Sequence, residues 1–171
     1  MPEPSLEQLQ TQSLAYQLAA DDMGQAIAAA IALRAEEDDR NLMLALECAM
    51  AVCYMRAFTK STLMTMPGKF VPSVERGYSE QDVDLHTWFD HRRDTAYAHT
   101  DKESGRSAEV HRLEGDPLGA SAWHPGWEPF PREWINPAID LFQGQRDRFR
   151  AKALELREKI ETFGHGVGTV D

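Results

Sequence analysis

The stretch Ile135 to Phe163, INPAIDLFQGQRDRFRAKALELREKIETF, decides the fold. Within it Ile135, Ile139, Phe142, Arg146, Phe149, Ala153, Leu156, Ile160 and Phe163 recur at alternating spacings of four and three over four heptads. That period is the seam of a long amphipathic helix lying along another helix. The helix is expected to begin at Pro131 or Arg132 and to end at Gly164, leaving the remainder as a flexible tail. Arg146 is the one seam residue that a core cannot accept alone. It must pair with an acid of a neighbouring helix or face a polar site, because burying it unpaired costs several kcal/mol.

A second seam of the same kind, suited to packing along a neighbouring helix, lies at the other end of the chain. Ser5-Leu6-Glu7-Gln8 fits a capping box, and from it Leu6, Leu9, Ser13, Tyr16, Ala20, Met23, Ile27 and Ala30 follow the same spacing. Gly24 weakens this helix by about 1 kcal/mol relative to alanine without breaking it. The acidic run Glu36 to Asp39 holds the turn and favours the dipole of the next helix. Arg40 to Met64 is apolar on most faces, which marks a central helix. Cys48 and Cys53 on it lie about 140° apart around the axis, a poor arrangement for a shared metal or a disulfide, so both are assigned to the core. Pro67-Gly68, Pro72 and Gly77 make a loop, and Ser79 with Asp82 opens a further helix. Residues 101–131 carry most of the Gly and Pro and read as a long connection. Trp123, Trp127, Phe130 and Trp134 either pin its second half to the bundle or offer stacking surfaces for bases. Four long helices without a convincing strand predict an all-α, antiparallel four-helix-type bundle forming a single domain over 1–171.

Bulk composition narrows the function classes. The chain is 42% hydrophobic and 27% charged, an ordinary globular balance with enough apolar material for a real core. Acidic residues outnumber basic ones 28 to 18, for a net charge of -10, which opposes nonspecific attraction to a phosphate backbone. A local basic cleft could override that field, and Arg92-Arg93 with Arg146, Arg148 and Arg150 are the material for one. Two cysteines and the lack of a signal-like opening favour a reducing cytoplasm. The most apolar run, Leu42 to Met55, is interrupted by Glu47 and is too short to span a bilayer.

Chemistry concentrates in Asp84 to Lys102, DLHTWFDHRRDTAYAHTDK. An imidazole exchanges protons near neutral pH, and a guanidinium is always charged and forks onto phosphate oxygens. Arg93 and His99 together therefore suffice for phosphodiester cleavage without metal. Six helical residues place them roughly 9 Å apart along the axis and about 120° around it. Either the helix is distorted near Tyr97 to Thr100, or a second copy completes the site across a two-fold interface. The spacing alone is weak, since an Arg with a His five to seven positions on is expected on the order of once by chance in such a chain. Arg106 to His111 has the same spacing in a Gly, Ser and charged segment with no apolar face. Arg93 differs because Leu85, Trp88, Phe89, Ala96 and Tyr97 surround it at helical spacing. His86, Asp90 and Asp94 recur every four residues nearby, read as an exposed polar stripe or, less well, as a metal-ligand row.

At these residues the chain resembles the HEPN superfamily (higher eukaryotes and prokaryotes nucleotide-binding domains), in particular its abortive-infection-like members. The mark is an Arg, a polar residue and a His at Arg-x(4-6)-His spacing late in a helix, here Arg93-Asp94-Thr95-Ala96-Tyr97-Ala98-His99. The apolar helix carrying Tyr54-Met55-Arg56-Ala57-Phe58-Thr59 also looks like the one that precedes this motif. The resemblance covers roughly Asp39 to Asp101. It implies a dimerising helical bundle and a metal-independent, cofactor-free endoribonuclease, as in toxins and phage-defence proteins. On that basis the candidate catalytic residues are Arg93, His99 and Asp94, and the candidate substrate-binding residues Arg92, Tyr97 and Arg146. Expected partners are a second copy, an RNA substrate and a basic antitoxin-like protein, with no membrane. Members modified by a nucleotidyltransferase carry a tyrosine two positions after the histidine, where this chain has Asp101. The rival reading is a noncatalytic HEPN-like module that dimerises or binds a partner protein or nucleotide, favoured by the net acidity and the aromatic-rich connection.

Overall fold

The structure, a computed structural model, describes residues 4–58, 78–93, 109–112, 120–123 and 129–165. Four helices dominate: α1 (Leu6–Ala35), α2 (Arg40–Arg56), α3 (Glu80–Arg92) and α4 (Ile135–His165), the last entered through one turn of 3-10 helix at Arg132–Trp134. The start signals act as their chemistry requires. Ser5 Oγ accepts the Gln8 N–H at 3.2 Å while Gln8 Oε1 accepts that of Ser5 at 2.9 Å, a reciprocal capping box. Glu36 Oε1 accepts the N–H groups of Asp38 and Asp39, and Asp39 in turn caps α2 through Asn41 and Leu42. Ser79 and Asp82 repeat the capping box at α3.

α1 runs antiparallel to both α2 and α4. Ser13 donates to the Ala153 carbonyl near one end and Arg34 to Asn136 Oδ1 near the other. Asp22 pairs with Arg56 at 3.0 Å, and Cys53 Sγ donates to Gln25 Oε1 at 3.5 Å. Along the two predicted seams, Leu9, Ala20, Met23, Ile27 and Ala30 of α1 meet Ile135, Ile139, Phe142, Phe149, Ala153 and Leu156 of α4 as buried residues. Both seams fray at their outer ends, where Leu6 and Phe163 are exposed. Arg132 locks the end of α1 in a way that sequence spacing did not reveal. Its guanidinium donates to the carbonyls of Leu33, Arg34 and Glu36, at a helix C-terminus, where carbonyls outnumber the backbone donors in reach.

The core is aromatic. Tyr54, fully buried, has ring centroids of Phe142 at 4.9 Å, Phe58 at 5.1 Å and Phe89 at 5.2 Å. Phe130 stacks on Phe89 at 5.6 Å and Trp134 packs against the cluster, which pins the chain entering α4 to the bundle. Buried Glu47 adds a polar anchor, its Oε1 accepting the Phe130 N–H at 2.9 Å. Cys53 is buried and Cys48 half-buried, and both are free thiols.

A hairpin and two helix ends differ from the sequence expectations. The connection contains a small antiparallel hairpin, β1 (Glu109–Arg112) with β2 (Ala120–Trp123), in the register Glu109 to Trp123 and Arg112 to Ala120. Four-residue strands are too short for a period of two to register in the sequence. α4 passes Gly164 to reach His165, since a glycine is tolerated in a fraying last turn. α2 is described as helix to Arg56 rather than Met64, with a turn at Ala57 and Phe58, and 59–77 lie outside the described residues. No helix among the described residues is long and apolar enough to cross a membrane.

Candidate active site

α3 places Leu85 and Phe89 in the core. Residues one position further round that helix lie at the core's edge, and His86, Asp90 and Arg93, at i, i+4 and i+7, share one stripe there. Arg93 keeps helical backbone angles at the end of α3, and its Nη2 lies 3.6 Å from Asp90 Oδ1. The guanidinium side chain is 19% exposed and the carboxylate 53%. Water screens such a pair enough that it orients the arginine more than it stabilises the helix.

Tyr54 of α2 and Tyr78, just before α3, complete the site. The Tyr54 hydroxyl lies 3.0 Å from the Tyr78 hydroxyl and 3.0 Å from His86 Nδ1. The imidazole also packs edge-on against Tyr54 and Phe58. Burial lowers the His86 pKa, with the nearby Asp90 charge opposing it. The ring is therefore held neutral at pH 7. Burial likewise raises both phenols, overcoming the favourable charge of Arg148, so the hydroxyls stay protonated. The result is a neutral hydrogen-bonded chain joining α2, α3 and the segment before α3. It fixes the face of α3 that carries Arg93.

The predicted residues fall in different places. Arg92 leaves the stripe and stacks over the Trp88 ring at 5.0 Å. Arg146, expected either to pair with an acid of a neighbouring helix or to face a polar site, has a carboxylate of its sequence neighbour, Asp147 Oδ1, at 3.7 Å from Nε. That Nε is shielded from solvent without a hydrogen bond among the described residues, as is Gln145 Oε1. Nothing described joins Arg146 to Arg93. Asp94, Tyr97 and His99 lie outside the described residues, as do Trp127 and Asp101.

Of the polar row His86, Asp90 and Asp94, the first two lie on α3 and Asp94 falls outside the described residues. His86 Nδ1 is engaged by Tyr54, and no group of three or more metal-ligating side chains occurs among the described residues. Spacing arguments missed the Tyr54, Tyr78 and His86 chain. Its one sequence signal was a tyrosine inside a strongly apolar helix, since a buried phenol requires a hydrogen-bond partner. No protein-family model, curated protein or solved structure matches the chain.

Proposed function

We propose that the protein is a HEPN-like, metal-independent endoribonuclease that leaves 2',3'-cyclic phosphate ends. In this reading His99 removes the proton of the ribose 2'-hydroxyl as its oxygen attacks phosphorus. The 5'-oxygen leaves and takes up a proton from a general acid, the role of the second imidazole in a two-fold site. Arg93 stabilises the charge that grows on the phosphorane oxygens, and Asp94 positions one of the two. The observation that carries the proposal is the placement of Arg93. It is largely shielded, steered by Asp90 and set on a face held rigid by the hydrogen bonds of His86 and Tyr54. A preorganised cation at a helix end is what transition-state stabilisation of a phosphoryl group requires.

The test is incubation of the purified chain with tRNA and total RNA in EDTA, beside Arg93→Ala and His99→Ala. Discrete cuts with cyclic phosphate ends should fall about 100-fold or more in both variants. The net charge of -10 favours a second reading, a noncatalytic HEPN-like module that binds a partner protein or nucleotide. No cleavage by the folded, unsubstituted chain selects that reading. A basic antitoxin-like protein is the partner that this charge fits.

A further inference from the structure

We propose that the groove between α1 and α4 binds a nucleotide by its phosphate. The groove has a volume of about 390 Å³ and is lined by Gln17 and Asp21 from α1 and by Arg150, Leu154 and Arg157 from α4, between two alanines. Ligand pockets begin at roughly 300 Å³, enough for a ligand of this class. Arg150 and Arg157 are seven residues apart, so they face the same way about 10.5 Å apart along α4.

Both guanidinium groups are available. Arg150 is exposed and makes no ion pair or hydrogen bond among the described residues. Arg157 meets Glu161 at 3.4 Å with the two side chains 68% and 64% exposed, a contact that solvent weakens and a phosphate can displace. Leu154, 60% exposed between them, offers an apolar surface to the face of a base. Gln17 and Asp21, one turn apart on α1, provide a donor and acceptors for a ribose hydroxyl or a base edge.

The acidity of the whole chain does not oppose this. At physiological ionic strength charges further than about 8 Å away are largely screened, so the groove answers to its own groups, Arg150 and Arg157 set against Asp21 and the Glu161 that meets Arg157. Asp21 on the rim acts as a filter. It repels a bare anion and accepts a hydrogen bond from a ligand that carries hydroxyl or amino groups beside its phosphate, which separates a nucleotide from inorganic phosphate.

The nucleotide is either free or one unit of an RNA strand, and the RNA source rests on the ribonuclease reading. The full chain is titrated with AMP by calorimetry and with a fluorescent 2'-O-methyl RNA oligonucleotide by anisotropy, since blocked 2'-hydroxyls cannot be cleaved. Binding of AMP alone identifies a free nucleotide; binding of the oligonucleotide identifies an RNA strand. In either case Arg150→Glu with Arg157→Glu should weaken binding about tenfold or more. For the oligonucleotide the log-log salt slope should also fall by about 1.4, or about 0.7 per phosphate contact on a single strand. Both residues are exposed, and Arg150→Gln with Arg157→Gln serves as the milder pair if the charge reversal disturbs the helices. Binding of neither probe, or equal binding by a folded double variant, overturns the groove. Arg93→Ala separates the two ideas. If it abolishes cleavage while the groove variant binds normally, the groove is wrong and the nuclease stands. If no protein cleaves but AMP binding is lost in the groove variant, the groove stands and the nuclease is wrong.

Discussion

Tyr54 is fully buried yet keeps its hydroxyl engaged, and that single group links His86 to Tyr78. Tyr54→Phe leaves two part-buried partners without it and is expected to cost about 1–3 kcal/mol in a urea melt. The chain also makes stability depend on pH. Burial lowers the His86 pKa below its usual value near 6.5, so in the window just below 6.5 the unfolded chain binds more protons than the folded one. Stability from this residue is therefore complete above the unfolded pKa and is lost as pH falls through 6.5 toward the folded value. His86→Gln should flatten that part of the stability profile, and an unchanged slope would refute the assignment. Arg146 makes the opposite case. Its shielded Nε has no hydrogen bond among the described residues and sits in an otherwise apolar seam, so Arg146→Leu is expected to hold or raise the thermal midpoint. If the arginine contacts substrate, RNA cleavage falls in the same variant; loss of neither fold nor activity would remove it from the site.

Helices α1 and α4 each carry an interior glycine whose added Cβ would meet no atom within 4 Å, Gly24 and Gly144. Alanine at each should therefore stabilise by about 1 kcal/mol or somewhat less, through helix propensity and a less free unfolded chain. Thermal melts of the single and double variants check this, and a drop would reveal a constraint at that position. Both capping boxes, both seams and the acidic turn were legible because each depends on residues within four positions of one another. The hairpin was not, since its two four-residue strands specify each other only when brought together. Arg132 escaped notice for the same reason. It reads as a helix-start residue, while its partners are the carbonyls of residues almost a hundred positions earlier.

The whole molecule is a helical bundle with one described core, shared by all four helices and by Phe130 of the last connection. If a two-fold site unites two copies of Arg93 and His99, analytical ultracentrifugation should give twice the 19.3 kDa of the chain, and a monomer that still cleaves RNA would require the distorted-helix geometry instead. The sequence by itself determined the helices, their starts and the two long seams, because periodicity and capping are local and each seam residue declares its face. Only the tertiary structure decided that His86 joins a tyrosine chain, that Glu47 anchors Phe130, and that Arg150 and Arg157 flank a groove with Asp21. These groups come together across long stretches of sequence, as do the partners of the Tyr54 to Tyr78 and Ser13 to Ala153 hydrogen bonds, 24 and 140 positions apart. Such pairings follow from how buried polar groups find partners once the seams have closed, and no spacing along the chain encodes them.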